Sequence, residues 1–302
     1  MTTIKVGTRK SKLAQTQTKQ TLALLQEKHP EVVFELVPYQ TKGDRLNTIS
    51  LQEIGGKGVF VKEIERALLE QEIDIAIHSL KDMPALLVEG CQLGAIPARE
   101  DVRDCLIFHQ VGQSLATLPK GARVGTSSLR RKVQLLKIRP DLTICELRGN
   151  IDTRIEKVQE GEYDAIVLAM AGLSRMGWLD HPELSIEPLG LEACLPAISQ
   201  GALAIECRKG DDQILDILQS IQDEETAACV TIEREVLALM NADCTFPIGA
   251  YAQKHLAGYQ LDVMLATKEG ECLYARVEGS KPEGLAKRAV ETLAAQGAWG
   301  IS

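Results

Sequence analysis

The sequence has few aromatic residues and no long apolar run. Phe, Trp and Tyr make up 4% of the 302 residues, so the cores must be built from Leu, Ile, Val and Ala. The longest apolar stretch lies near AIVLAMAGL, whereas a membrane-spanning helix needs about 20 apolar residues. The N-terminal MTTIKVGTRK also lacks the apolar segment of a secretory signal. We therefore expect a cytoplasmic protein with no membrane partner.

A basic excess is missing as well. The formal net charge is −8 and the isoelectric point is about 5.3. Proteins that bind nucleic acids generally carry a basic excess, so we expect no nucleic-acid partner. This balance still leaves room for a local basic pocket.

Closely spaced cysteine pairs are absent. The eight cysteines are scattered with no CxxC, so no zinc-type spacing is present and we expect no metal site. A reducing cytosol keeps them as thiols, and most should be small buried apolar residues. Spacing alone singles out none of the eight.

The chain contains an internal repeat. IKVGTRKSKLAQ (4–15) and ARVGTSSLRRKVQ (122–134) both predict a strand that ends in Val-Gly-Thr and leads into a helix. EIDIAIHSL (72–80) and EYDAIVLAMAGL (162–173) both begin with acidic residues and continue as an apolar strand. Continuous apolar runs are typical of buried parallel strands, so the repeat predicts two similar α/β domains in tandem.

Two segments mark the predicted passage between these domains. PAREDVRD (97–104) is charged and predicts the first crossing, and 188–208 predicts the return, with a strand at 202–207. The domains are therefore expected at 1–98 with 200–219 and at 103–194.

The remaining residues, 223–302, predict a small α+β third domain. It opens with the amphipathic segment 223–240 and ends with a helix at 283–297. Between them YQLDVMLATK and CLYARVEGS alternate as antiparallel strands do.

The segment 39–58, YQTKGDRLNTISLQEIGGKG, is long and rich in Gly, Thr and Asn. Such segments within compact domains are often functional lids. A plain disordered excursion is the alternative, and the sequence leaves both open.

Basic residues follow nearly every predicted strand. Ligands of doubly wound sheets bind beyond the carboxyl ends of the strands, where helix N-termini suit anions. Each residue alone could be a solvated surface charge, but the whole set in an acidic protein indicates a polyanionic ligand. The set is Arg9, Lys10, Lys12, Lys57, Lys81, Arg130, Arg131, Arg148, Arg154 and Arg175.

Arg130 and Arg131 fall in the first turn of a predicted helix, where cations are mildly unfavourable. We expect an anion of the ligand to lie between these arginines and the helix start.

Asp82, in the motif HSLKDMP, is a carboxylate among these predicted ligand-binding cations. Nearby cations favour its ionised form, so it is a candidate for general acid/base work or for stabilising a cation. A turn or capping Asp is the alternative. His78 lies inside the strand and is expected to be structural.

Eight motifs, taken together and in order, resemble the porphobilinogen deaminase (hydroxymethylbilane synthase) family over almost the whole chain. They are GTRKSKLA, GGKGVFVKEIE, DIAIHSLKDMP, GTSSLRR, LRGNIDTR, DAIVLAMAGL, QGALAIE and CTFPIGAYA. The resemblance implies an α/β fold of two tandem domains like the lobes of type II periplasmic binding proteins, plus a small α+β C-terminal domain. It also implies a monomer.

The family resemblance implies a transferase of haem biosynthesis. Such an enzyme condenses four porphobilinogen molecules head to tail, with loss of ammonia, into hydroxymethylbilane. It carries a covalent dipyrromethane cofactor, and Cys244 in DCTFPIGAY matches the cysteine that holds this cofactor through a thioether. Each pyrrole bears an acetate and a propionate, which fits the cations, and loss of ammonia creates a cation that Asp82 would stabilise.

The same resemblance assigns the remaining site residues. Positions that hold the cofactor are matched by Ser79, Lys81, Thr126, Ser128, Arg130, Arg131 and Arg154. Positions near the incoming substrate or chain are matched by Arg9, Ser11, Gln17, Arg148 and Arg175. Lys57 is placed at the edge of the lid and Gln200 in the hinge region.

Three places depart from the family pattern. Lys12 stands where many members have Pro, Ser199 stands where Gly is common, and NADCT replaces a Gly-rich approach to the cysteine.

The alternative function is a two-lobed, non-catalytic binding protein for a small polyanion. The lack of a signal peptide, the third domain and the pairing of Asp82 with Cys244 count against it.

Overall fold

The fold is mixed α/β. The computed structural model describes residues 2–41, 61–242, 246–267 and 270–298. The strands are β1 (Thr2–Arg9), β2 (Val32–Tyr39), β3 (Ile75–Ser79), β4 (Cys91–Ala95), β5 (Asp104–Phe108), β6 (Arg123–Gly125), β7 (Thr143–Cys145), β8 (Ala165–Ala169), β9 (Ser185–Pro188), β10 (Leu203–Arg208), β11 (Ile248–His255), β12 (Gly258–Ala266) and β13 (Cys272–Gly279). The helices are α1 (Lys12–Lys28), α2 (Lys62–Leu69), α3 (Leu129–Ile138), α4 (Ile151–Gln159), α5 (Met170–Met176), α6 (Asp212–Gln219), α7 (Glu224–Leu239) and α8 (Leu285–Ala295).

The chain divides into two compact units. The first comprises Met1–Glu100 with Ala202–Ala228, and the second comprises Asp101–Gly201 with Cys229–Ser302. The change from the first unit to the second falls inside the stretch 97–104 that the sequence marks as a crossing. The finer division into three domains stays a prediction.

Each unit contains a five-stranded sheet, and the two sheets have the same plan. In the first unit the order is β2-β1-β3-β10-β4, and in the second it is β7-β6-β8-β5-β9. The second strand in each order, β1 or β6, runs parallel to both its neighbours. The fourth strand, β10 or β5, runs antiparallel to its neighbours. This shared order confirms the predicted repeat.

The aspartates that open the second motif of the repeat have the same role in both sheets. Asp74 Oδ2 accepts the backbone N–H of Lys5 at 2.8 Å, and Asp164 Oδ2 accepts that of Arg123 at 2.7 Å. Each carboxylate therefore binds the start of the neighbouring parallel strand and fixes its position. This explains why both apolar strands begin with an acidic residue.

The glycine of each Val-Gly-Thr motif is required by packing. A Cβ on Gly7 would collide with Ile73 Cδ1, and one on Gly125 would lie 2.9 Å from Tyr163 Cδ1. Ile73 and Tyr163 are themselves equivalent, since each precedes the aspartate of its repeat. The strand can therefore approach its neighbour closely only where no side chain is present.

Apolar residues of the helices bury both faces of the first sheet. Leu25 of α1 and Leu218 of α6 belong to one cluster, and Ile64 and Leu68 of α2 belong to another. Full burial of such a side chain stabilises the fold by about 1.5–3 kcal/mol. These helices hold the strand ends, and the loops that follow them, in fixed positions.

The C-terminal region forms a three-stranded antiparallel sheet in the order β11-β12-β13. Helix α8 packs against β12 and β13. The predicted antiparallel strands and the helix expected at 283–297 are thereby confirmed, and the amphipathic segment 223–240 forms α7.

Two expectations need correction. The sequence predicts Asp104 in the charged crossing, but it is the fully buried first residue of β5. The sequence also predicts Arg175 directly after a strand, but it lies in the last turn of α5. Of the long segment 39–58, residues 42–58 lie outside the described residues.

None of the described helices is long and apolar enough to cross a membrane.

Candidate functional site

An open pocket lies in the first unit at the carboxyl ends of β1 and β3, beside the start of α1. It brings together five of the predicted site residues, Arg9, Ser11, Gln17, Ser79 and Asp82. The pocket is completed by Leu13, Ala14, Val61, Ile77 and His78. Parallel strands present their carboxyl ends at one edge of a sheet, which is why residues distant in sequence meet here.

Asp82 lies beside a cation in this pocket. It is the last residue of a 3₁₀ turn, Leu80–Asp82, that directly follows β3, and Lys81 belongs to the same turn. One carboxylate oxygen is 4.0 Å from Arg9 Nη1, and 37% of the side chain is exposed. The carboxylate is therefore held next to a guanidinium while remaining accessible to a ligand.

Hydrogen bonds fix the other polar groups of the pocket. Ser11 is the N-cap of α1, and its hydroxyl accepts the N–H of Ala14 at 3.3 Å. Ser79 donates its hydroxyl proton to the buried Gln17 Oε1 at 3.0 Å. Polar groups held in this way need little reorganisation when a ligand arrives.

His78 lines the pocket but is itself almost fully buried. Its Nε2 lies 3.1 Å from Oε2 of Glu206, and both side chains are almost fully inaccessible. His78 thus lies within β3, as predicted, and its structural role stays a prediction. Burial, and then the charge of Glu206, raise the pKa of the neighbouring Glu65.

In the second unit, predicted site residues collect at the start of α3. Ser128 is the N-cap and accepts the N–H of Arg131 at 3.5 Å. Thr126 Oγ1 accepts the N–H of Ser128 at 3.2 Å. Arg130 and Arg131 lie in the first turn of the helix, as predicted, and both are buried.

The structure supplies a counter-charge for these arginines from the protein itself. Asp104 Oδ2 lies 2.7 Å from Arg130 Nη1, and Oδ1 lies 2.7 Å from Arg131 Nη2. Burial favours a raised pKa for Asp104, but the charges of Arg130 and Arg131 hold that pKa far below its ordinary value. Two cations thus share one internal anion, whereas the sequence predicts that an anion of the ligand offsets their charge.

Further positive charge surrounds this pair. Arg154 is half-buried and donates Nε to the carbonyl of Gly149 at 2.7 Å. Burial, and then the charges of Arg131 and Arg148, lower the pKa of Arg154 to about 10. Three guanidinium groups that lie close enough for their charges to repel one another suit a ligand with several carboxylates.

Arg175 and Gln200 lie around the return crossing. Arg175 Nη2 donates to the carbonyl of Gly201 at 2.7 Å. Gln200 Nε2 donates to the carbonyl of Val102 at 2.8 Å and to Asp104 Oδ1 at 3.0 Å. Gln200 is therefore part of the same network as the buried arginines.

Lys57 and Cys244 lie outside the described residues. Most of the other seven cysteines are buried, as predicted for small apolar residues. Burial raises the pKa of the Cys91, Cys105 and Cys194 thiols to about 12, which leaves them unreactive at neutral pH. Within the described part of the chain, no group of three or more His, Cys, Asp and Glu residues could hold a metal ion.

Sequence reasoning missed two buried acids, Asp104 and Glu206. Asp104 ends a stretch of charged residues, which is typical of a solvated linker. The apolar run CLIF that follows it predicts a buried strand, but not a buried carboxylate, because Asp74 and Asp164 also precede apolar strands and are only half-buried.

Two family models match the chain. "Porphobilinogen deaminase, dipyromethane cofactor binding domain" matches residues 4–216, and "Porphobilinogen deaminase, C-terminal domain" matches residues 227–296.

Similar curated proteins carry the same description. The porphobilinogen deaminase of Streptococcus sanguinis is 65% identical over 301 residues, which covers 100% of this chain and 98% of the relative. That of Bacillus subtilis is 49% identical over 302 residues, covering 99% and 95%. That of Listeria monocytogenes is 47% identical over 294 residues, covering 97% and 95%.

Similar solved structures are more distant. An arginine-specific periplasmic binding protein of Salmonella typhimurium is 14% identical with a TM-score of 0.42, covering 75% of this chain and 94% of that one. The BenM effector binding domain is 15% identical with a TM-score of 0.44, covering 73% and 90%.

Proposed function

The chain belongs to the porphobilinogen deaminase family, and from this premise we propose which of its residues carry the reaction. It is a transferase that condenses four porphobilinogen molecules head to tail, with loss of ammonia, into hydroxymethylbilane for haem biosynthesis. The observation that carries this function is the match of both family domains, which together span residues 4–216 and 227–296.

The family's cofactor is dipyrromethane. When bound, it would supply the anchored pyrrole to which the substrate units are added. The residues present fit such a group, because its carboxylates would be attracted by the neighbouring guanidinium groups of Arg131, Arg148 and Arg154. We propose Cys244 as the attachment point through a thioether.

We propose that the site residues divide between the cofactor and the substrate. Those that would hold the cofactor are Ser79, Lys81, Thr126, Ser128, Arg130, Arg131 and Arg154. Those that would meet the incoming substrate or the growing chain are Arg9, Ser11, Gln17, Arg148 and Arg175, with Lys57 and Gln200 at the lid and hinge.

Asp82 is the proposed catalytic residue. Its carboxylate can stabilise the positive charge that develops on porphobilinogen as ammonia leaves, and it can accept and return a pyrrole proton. Arg9, 4.0 Å away, would bind a substrate carboxylate in the same pocket. The Ser79–Gln17 hydrogen bond keeps the pocket wall in place during these steps.

A test of Asp82 separates this function from non-catalytic binding of a polyanion. In Asp82→Ala, turnover of porphobilinogen should fall by roughly 100-fold or more, since a positioned acid/base contributes about 10²–10⁴ in rate. The matched control is Asp216→Ala, which removes an exposed carboxylate of the same unit. Wild-type turnover by the folded Asp82→Ala protein would rule out the proposed role.

The remaining proposals concern organisation and location. We propose three domains at 1–98 with 200–219, 103–194 and 223–302, a monomeric state and a cytoplasmic location. Light scattering of the purified protein checks the monomer, and limited proteolysis checks the domain boundaries.

A further inference from the structure

Asp104 lies at the centre of a buried network in the second unit, and it has no part in the function so far. Its side chain is fully buried. Oδ1 accepts from Arg131 Nε at 3.1 Å, from Arg131 Nη2 at 2.7 Å and from Gln200 Nε2 at 3.0 Å. Oδ2 accepts from Arg130 Nη1 at 2.7 Å and lies 3.4 Å from Cys194 Sγ. Both oxygens are thus fully used.

The network holds two guanidinium groups. Arg131 binds Asp104 through Nε and Nη2 and donates Nη1–H to the carbonyl of Val167 at 3.0 Å, so contacts on two edges of its rigid plane determine its orientation. Arg130 is held through Nη1, which also donates to the carbonyl of Leu195 at 2.7 Å. The carboxylate of Asp104 is the partner that both groups share.

The same carboxylate also neutralises part of the positive charge around Arg131. Arg131 and Arg148 both lie close enough to Arg154 to lower its pKa. Asp104 is buried against Arg131, whereas Glu146, which lies 3.6 Å from Arg148, is 78% exposed and screened by water. Asp104 therefore offsets part of the charge of Arg131 within the protein.

We propose that Asp104 is a positioning residue of the cofactor-holding site, which orients Arg130 and Arg131 toward the carboxylates of dipyrromethane. This inference rests on the proposed function. In this role Asp104 holds two ligand-binding arginines in place and does not itself bind the ligand.

The inference is tested by following cofactor loading in the full chain. Protein produced without a supply of porphobilinogen is incubated with porphobilinogen, and the covalent mass gain is measured against time. In Asp104→Asn, loading should slow by roughly 100-fold, the loss expected when charged groups shift by about 1 Å. Asp104→Glu keeps the charge but lengthens the side chain, so its loading should slow by roughly tenfold.

Asp141→Asn is the matched control. It removes an aspartate that pairs with Arg139 at 2.7 Å in the same unit, and it should load like the wild type. Nitrogen-15 spectra of the arginine Nε–H groups add a structural readout. The Arg131 signal should be protected from solvent exchange in the wild type and in Asp141→Asn, and exposed in Asp104→Asn.

The outcomes separate the two claims. A folded Asp104→Asn protein that loads at the wild-type rate overturns the positioning role and leaves the proposed function intact. If Asp104→Asn does not fold, the Asp104→Glu variant provides the test. Loading of folded Asp104→Glu at the wild-type rate would overturn the positioning role. Failure of both variants to fold would overturn it as well. A wild type that gains no mass would instead overturn the proposed function.

Discussion

At the scale of single residues, the site is governed by where charges are paired inside the protein. Cations at the start of a helix are unfavourable, yet α3 begins with Arg130 and Arg131. Asp104 resolves this conflict from within the fold, so the two arginines are in place before any ligand binds. Burial, and then the charges of Arg131 and Arg148, lower the pKa of the nearby Arg154.

Ser199 is a residue whose replacement should stabilise the protein. Its φ is 61°, which lies in the left-handed region, and its buried hydroxyl has no hydrogen-bond partner among the described residues. A left-handed conformation costs about 1–2 kcal/mol with a Cβ, and glycine avoids this at an entropic cost of about 0.4–1 kcal/mol. Ser199→Gly should therefore raise the free energy of unfolding by roughly 1 kcal/mol in urea titrations.

Ser199→Ala is the control for this prediction, because it removes the hydroxyl and keeps the Cβ. It should gain less stability than Ser199→Gly, since the backbone strain persists. A glycine variant no more stable than the alanine variant would show that the strain is absent.

At the scale of elements, the two lobes use the same devices to join their strands. The Val-Gly-Thr strand and the Asp-led strand lie in parallel register in both sheets, and the glycine marks the closest approach. The sequence could predict this much because both motifs occur twice with the same flanking pattern.

The packing around Gly7 can be tested by a double-mutant cycle. Gly7→Ala should lower the free energy of unfolding by about 1–3 kcal/mol, since the new methyl collides with Ile73 Cδ1. Ile73→Val removes that carbon, and in this background the cost of Gly7→Ala should fall below about 1 kcal/mol.

Ile64→Val serves as the control because it removes a methyl from the same buried cluster without clearing the collision. Equal costs of Gly7→Ala in the Ile73→Val and Ile64→Val backgrounds would contradict the packing explanation.

Sequence reasoning succeeded where a pattern repeats and failed where a residue is defined by distant partners. The gathering of Arg9, Ser79 and Asp82 at one sheet edge followed from the rule for parallel strands. The buried Asp104 could not be predicted, because its partners come from α3 and from Gln200, far along the chain. Lys57 and Cys244 stay predictions, as do the roles of the site residues.

At the scale of the whole molecule, the buried ion network should make the protein sensitive to acid. The folded-state pKa of Asp104 lies far below the ordinary value of 3.8, so the unfolded chain takes up a proton first as the pH falls. This contribution is fully present above about pH 4 and is lost as the pH drops below that range.

The acid response can be measured by urea unfolding between pH 7 and pH 3. Asp104→Asn should be less stable than the wild type by about 3–5 kcal/mol at pH 7, the usual cost of removing one partner of a buried ion pair. The difference should shrink below about pH 4 as the wild-type carboxylate loses its advantage. A difference that stays constant across this range would contradict the linkage.

The measurement to make first is the intact mass of the purified protein before and after incubation with porphobilinogen, beside a Cys244→Ser variant. We predict a mass excess equal to two linked pyrrole units in the wild type and none in the variant. This result would support the cofactor and its proposed anchor together. A wild type without any excess, even after incubation, would contradict the synthase function and favour a binding protein.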